Sequence, residues 1–160
     1  GVQTCALPIY DHFSIVYEYA NGVRAFHQCR QISGCSTDYS VHVNGSKGRA
    51  LVDCSANKHI ITGESSWRYQ GEQNEMYQTE HDEFFASIRE GYPVNHGTWM
   101  AQSTMLAIMG RMAAYTGQIV TWEQAMNSKE RLAPAELHEL RWDLPVTVPP
   151  VAIPGRNKVI

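Results

Sequence analysis

The order of patterns along the chain predicts an α+β fold built on an antiparallel sheet. Three observations carry this expectation. Residues Tyr10 to Gln70 alternate and are rich in β-branched and aromatic types, the pattern of half-buried strands. The connections between these stretches are short and hold Asn-Gly or Gly-rich turns, which join antiparallel neighbours. Helical periodicity begins only at Met76 and then continues to Lys129, so strands come first and helices second.

Taken in order, Asp11–Tyr19 (DHFSIVYEY) is the first strand and Ala20-Asn21-Gly22 its hairpin turn, since Asn and Gly both accept positive φ. Val23–Ile32 returns as the second strand. Val23, Ala25, His27, Cys29 and Gln31 share one face and Arg24, Phe26, Gln28, Arg30 and Ile32 the other. Neither face is uniformly apolar, which suits a sheet with helices on one side and a partner or cleft on the other. Ser33–Ser36 is a loop and Tyr39–Val43 the third strand. Asn44–Gly48 is a turn, Arg49–Cys54 the fourth strand, His59–Thr62 the fifth and Trp67–Gln70 a sixth. A helix follows from Met76 to Arg89, stopped by Gly91 and Pro93, with Tyr77, His81, Phe84 or Phe85 and Ile88 along one side. A second helix runs from Thr98 to Thr116. Its apolar residues, from Met100 to Tyr115, cover about two-thirds of the circumference, so burial against a sheet is expected. Gly117 supplies the stop. A short β-like link leads to Thr121, which with Gln124 forms a capping-box pattern for a third helix. Leu144–Ile153 is extended, with Pro149-Pro150 confining it to edge or polyproline geometry.

Composition narrows the function classes. The 160 residues are 43% hydrophobic and 18% charged, which suits one domain with a real core. A net charge of −3 gives no electrostatic footprint for nucleic acid or an anionic membrane. No apolar run approaches the roughly 20 residues of a membrane span. The four cysteines, Cys5, Cys29, Cys35 and Cys54, form no Cys-x-x-Cys and read as free thiols of a reducing compartment. His12, His27, His42 and His59 all fall in strands, without the helical pair or short loop cluster of a metal site, so no metal is expected. The Gly45-Ser-Lys-Gly48 run lacks the spacing of a phosphate-binding loop and joins two strands, so it reads as a hairpin turn.

The stretch EHDEFFASIREGYPVNHGTWMAQSTMLAIM (80–109) followed by GRMAAYTGQIVTWEQAMNSK (110–129) resembles the C-terminal domain of Gfo/Idh/MocA-type oxidoreductases of the bacterial branch. The likeness extends from Tyr10 to the chain's end. It implies a large, mostly antiparallel sheet with helices packed on one face and an open face that meets another subunit of a homo-oligomer. It implies the substrate-binding and oligomerisation part of an enzyme that oxidises a sugar or polyol CH–OH group, with NAD or NADP as the cofactor of the full-length protein. The family's catalytic Glu-Lys-Pro lysine, its Gly-rich dinucleotide turn and its Asp/His helix do not occur in this sequence. The fragment alone is therefore expected to lack catalytic residues, cofactor-binding residues and activity. Residues 1–9, GVQTCALPI, resemble the translation of a sequencing-adapter oligonucleotide and are read as non-native. Residues 10–160 then form a single C-terminal domain whose N-terminal Rossmann domain is missing.

Candidate substrate contacts follow from the chemistry of a sugar site, which takes fork donors, amides and aromatic surface. Arg30 and Gln28 on the second strand are the polar candidates. Trp67 and Tyr69 are candidates for a pocket wall, and His81, beside Glu80 and Asp82, for a proton shuttle at the cleft. The bland readings are a salt bridge or sheet-face hydrogen bond at a subunit interface for Arg30, exposed interface aromatics for Trp67 and Tyr69, and a hydrogen-bonded core or boundary histidine for His81. Two further functions stay open: a stand-alone, non-catalytic scaffold domain that associates through its sheet, and part of an NAD-dependent glycoside hydrolase of the same family. Localisation defaults to the cytoplasm on cysteine usage and the family's cofactor; an export signal would lie upstream of Tyr10.

Overall fold

The computed structural model of the chain describes residues 10–133, 143 and 150–158. The adapter-like segment, with Cys5, and most of Leu144–Ile153 lie outside the described residues. The fold is α+β with antiparallel sheets, in the element order β1 (His12–Glu18), β2 (Arg24–Arg30), β3 (Ser40–Gly45), β4 (Gly48–Asp53), β5 (Lys58–Gly63), β6 (Trp67–Arg68), α1 (Met76–Arg89), α2 (Gly97–Thr116) and α3 (Trp122–Met126). The expectation of one large sheet is corrected: β1 and β2 form a two-stranded sheet, and β3 to β6 form a four-stranded meander in sequence order. No ladder joins β2 to β3. The polar, turn-rich stretch between them holds Gly34 in the left-handed region and gives the backbone no continuous extended path.

The chain divides into two compact units. The first comprises the chain up to Gly34 and from His96 onward, and the second spans Cys35–Asn95.

In the first unit the β1–β2 hairpin pairs His12 with Arg30 through Glu18 with Arg24. Its turn differs in one detail from the sequence expectation. Gly22 alone has positive φ, at 81°, and Asn21 instead uses its side-chain oxygen to accept from the Val23 amide at 3.1 Å. The Gly22 amide closes the turn on the Tyr19 carbonyl, and Ala20-Asn21-Gly22 makes a three-residue loop. Phe13, Ile15 and Tyr17 are half-buried while their neighbours on β1 are exposed, the alternation of a strand with one face covered. That face meets α2. Tyr17 Oη donates to the Leu106 carbonyl at 2.8 Å, and its ring and Ile15 lie against Gly110.

The core of this unit sits at the C-terminal half of α2. Among the described residues Met112, Ala125 and Ala152 are the buried apolar side chains, joined by Thr116, whose hydroxyl donates back to the Met112 carbonyl. Tyr10, Phe13 and Tyr115 form an aromatic cluster with ring separations of 4.8–6.3 Å. Tyr10 Oη donates to the Ala152 carbonyl at 2.7 Å and so ties the late segment to the start of β1. Arg111 lies 5.5 Å over the Tyr115 ring and forks onto Glu130. Gly117 ends α2 in the left-handed conformation expected, and Thr121 and Gln124 complete the capping box of α3. Gln118–Val120 between them carry no regular element, so the expected β-like link is not a strand. The broad burial expected of α2 is also corrected. Only Gly110, Met112 and Thr116 are buried, and Trp99 near its start is 68% exposed. The hairpin is two strands wide and covers only the part of the helix it crosses.

In the second unit, β3 and β4 pair from Ser40 with Asp53 to Gly45 with Gly48, so the Gly45–Gly48 stretch is a hairpin turn. β4 pairs with β5 from Gly48–Gly63 to Asp53–Lys58, and β6 adds Ile60–Arg68 and Ile61–Trp67. Helix α1 matches the sequence bounds but rests on no strand of this sheet, and no residue of Cys35–Asn95 is buried. Helix packing on a sheet face is therefore a feature of the first unit, where α2 covers β1, and not of the second.

Candidate functional site

Period-2 alternation and register divide the four-stranded sheet into two different faces. Val41, Val43, Ala50, Val52, His59, Ile61 and Trp67 point to one side, with Tyr69 continuing the row beyond β6. This face is apolar and aromatic, and it is open: Val41 is 58% and Val43 56% exposed. At its β6 edge, Trp67 and Tyr69 lie 6.4 Å apart, and His59 meets Tyr69 edge-on at 5.6 Å. The Tyr69 amide donates to the His59 carbonyl, extending the ladder, and its hydroxyl donates to the Glu72 carbonyl at 3.0 Å. Trp67 in β6 and Tyr69 just beyond it thus form part of a continuous apolar wall.

The other candidates belong to other elements. Gln28 and Arg30 share one face of β2, opposite Ser14 and His12 of β1, in the first unit. Phe26 on the same face is 74% exposed, so this is an open, mixed surface. Arg30 ends β2, opposite His12 at the start of β1. His81 lies in the second unit on α1. Its Nδ1 donates to the Tyr77 carbonyl one turn back at 2.7 Å, and its ring lies 6.4 Å from that of Phe85. It is exposed and tied to its own helix. The five candidates therefore fall into separate groups: Gln28 with Arg30, Trp67 with Tyr69, and His81 alone.

Burial, reinforced by the nearby Tyr19 and Cys29, raises the Tyr17 phenol. The Ser55 hydroxyl and the Ala56 amide hold the Asp53 carboxyl low, as the Ser40 side chain and amide do for Asp38. Both carboxylates serve turns flanking the sheet. Cys29, Cys35 and Cys54 are free thiols, all exposed. Among the described residues no group of three or more His, Cys, Asp or Glu side chains is placed to hold a metal ion, and no helix is long and apolar enough to cross a membrane.

The alternation of β3, β4 and β5 was legible in the sequence, but the faces they share were not. Val41, Val52 and Ile61 become one surface only when the Gly45–Gly48 hairpin and the Asp53–Lys58 turn fix the register. In comparisons with known proteins, no family model matches the chain, and neither a curated protein nor a solved structure matches it.

Proposed function

We propose that the chain is the C-terminal substrate-binding and oligomerisation part of an NAD(P)-dependent oxidoreductase acting on a sugar or polyol CH–OH group. The observation that carries this reading is the run Gly110–Lys129, whose likeness to the Gfo/Idh/MocA C-terminal domain coincides with a complete local unit: the end of α2, the Gly117 stop and the capped α3. The open apolar face of β3 to β6 supports the oligomerisation half of the proposal. Exposed Val41, Val43 and Ile61 in one sheet face are a surface that water disfavours and a second subunit would cover. In this reading NAD or NADP binds to a Rossmann half encoded upstream of Tyr10, where the catalytic lysine also lies, and the 160-residue chain alone does not turn over.

The same apolar face favours a second reading, a non-catalytic scaffold domain that associates through its sheet. The NAD-dependent glycoside hydrolase belongs to the first reading as a variant with the same cofactor. One experiment separates them: recovery of the contiguous reading frame upstream of Tyr10, followed by assay of the whole protein for NAD(P) reduction across a sugar and polyol panel. A strand–Gly-rich turn–helix unit upstream together with substrate-dependent reduction supports the dehydrogenase. A frame that opens within a few residues of Tyr10 removes catalysis and leaves the scaffold.

A further inference from the structure

The face of the four-stranded sheet opposite the apolar wall is organised differently. Its rows, read across β3, β4 and β5, are Ser40–Asp53–Lys58, His42–Leu51–Ile60 and Asn44–Arg49–Thr62, with Arg68 of β6 opposite Ile60. Leu51 and Ile60 lie side by side at the centre and are half-buried. His42, Asn44, Arg49, Thr62 and Lys58 surround them and line a depression of about 280 Å³. That is just below the roughly 300–1,000 Å³ typical of small-molecule clefts. Cross-strand neighbours stand about 4.5–5.5 Å apart at Cβ, so the surrounding groups lie within reach of one small ligand.

Charge on this face is unevenly committed. Lys47, Arg24 and Arg111 elsewhere in the chain each pair with a glutamate. Arg49 and Arg68 form no ion pair with any described residue. Asp53, the acid within these rows, accepts from the Ser55 hydroxyl at 2.7 Å and from the Ala56 amide at 3.0 Å, and sits at the Lys58 end. Asp38 accepts from the Ser40 amide at the same end. Glu64, just beyond Thr62, is the carboxylate at the Arg49 end, and it pairs with Lys47 at 3.6 Å and not with Arg49. The Arg49 end therefore keeps a guanidinium outside any ion pair beside two neutral polar side chains, Asn44 and Thr62. A guanidinium offers a fork of donors matched to a carboxylate or phosphate, and amide and hydroxyl groups match alcohol oxygens. The Leu51–Ile60 floor offers an apolar surface to a carbon skeleton.

We propose that this depression binds a small hydroxylated organic anion, a phosphorylated or carboxylated sugar, with Arg49 on the anionic group, Lys58 and Arg68 adding charge at the rim, and Leu51 and Ile60 under the carbon face. The site uses residues of the second unit only and concerns binding, not turnover, so it stands or falls separately from the dehydrogenase reading. The test titrates the isotope-labelled 160-residue chain, followed by amide chemical shifts, with glucose 6-phosphate, glucuronate, neutral glucose and inorganic phosphate. Saturable shifts confined to β3, β4 and β5 around Leu51 and Ile60 are expected with one or both sugar anions. Which of the two binds tells whether a phosphate or a carboxylate is the preferred head. Arg49→Met should weaken that binding roughly tenfold or more, since hydrogen bonds to a charged group are among the stronger ones. Val43→Thr, on the opposite face, should leave it unchanged. Lys58→Met, with an intact spectrum, is the second variant should Arg49→Met fail to fold, and a severalfold loss is expected. No saturable shift with either sugar anion, equal binding of glucose, equal binding of inorganic phosphate, or binding insensitive to both cationic variants would overturn the proposal.

Discussion

At the residue scale, three positions on α2 and β1 show how local chemistry fixes the first unit. Gly117 has φ 68°, and a Cβ there would stand 3.0 Å from both the Gly155 amide nitrogen and the Pro154 Cβ. The same backbone passes directly into the late segment, since the Gly155 amide donates to the Thr116 carbonyl at 2.7 Å. Gly117→Ala therefore meets both left-handed strain and a close neighbour, and should lower unfolding free energy by about 1–2 kcal/mol in urea denaturation. Gly110 lets Tyr17 reach the helix backbone: a Cβ would fall 2.5 Å from the phenolic oxygen that donates to Leu106. Tyr17→Phe removes this half-buried hydrogen bond and should cost about 1 kcal/mol. Its pH dependence has a definite sign. The folded-state pKa is raised, mainly by burial, so the neutral phenol is the form that folding favours. Its contribution is complete below the unfolded value of about 10 and is lost as pH rises through the folded one. Thermal melts of the wild-type chain should thus fall more steeply above pH 10 than melts of Tyr17→Phe.

At the element scale, the two long helices have opposite fates despite similar sequence clarity. α2 gains a partner where β1 crosses it and buries Gly110, Met112 and Thr116. α1 has correct bounds and an apolar side of Tyr77, Phe84, Phe85 and Ile88, yet buries nothing. Helices of this length are marginal in water without tertiary support. Amide hydrogen exchange of the full chain should therefore find α1 exchanging at least a hundredfold faster than the Ala113–Gly117 turn of α2, which lies in the buried core. Equal protection of the two helices would show that α1 is covered in solution. The short helix α3 survives at five residues because of its ends and its contacts. Thr121 Oγ1 accepts from the Gln124 amide, Gln124 Oε1 accepts from the Thr121 amide, and Ala125 is buried.

At the scale of the whole molecule, the question is what covers the apolar wall of the second unit. Val41, Val43, Val52, Ile61 and Trp67 are exposed together on one side of a sheet that has no buried residue. Sheet faces of this composition gain stability by association. If the wall is the subunit contact of a homo-oligomer, sedimentation of the full chain should give a discrete oligomer. Val43→Lys would then bury an unpaired ammonium within it and weaken assembly at least tenfold, about 1.4 kcal/mol or more. Charge on the opposite face, as in Thr62→Lys, should leave assembly unchanged.

The amino-acid sequence by itself determined the class and nearly every element. The α+β order, the strand starts, both long helices, the Gly117 stop and the Thr121 cap depend on interactions within a few residues, and such interactions are written in local pattern. The turn at Asn21-Gly22 was placed correctly, though only Gly22 adopts positive φ, because the Asn21 side chain bonds locally instead. Tertiary structure alone decided the rest. It separated the strands into a two-stranded and a four-stranded sheet, left α1 without a strand beneath it, and set which strands share a face. The physical reason is that pairing register and helix docking depend on partners distant in sequence. A period of two tells which residues share a face of one strand, and only the ladder tells which faces become one surface.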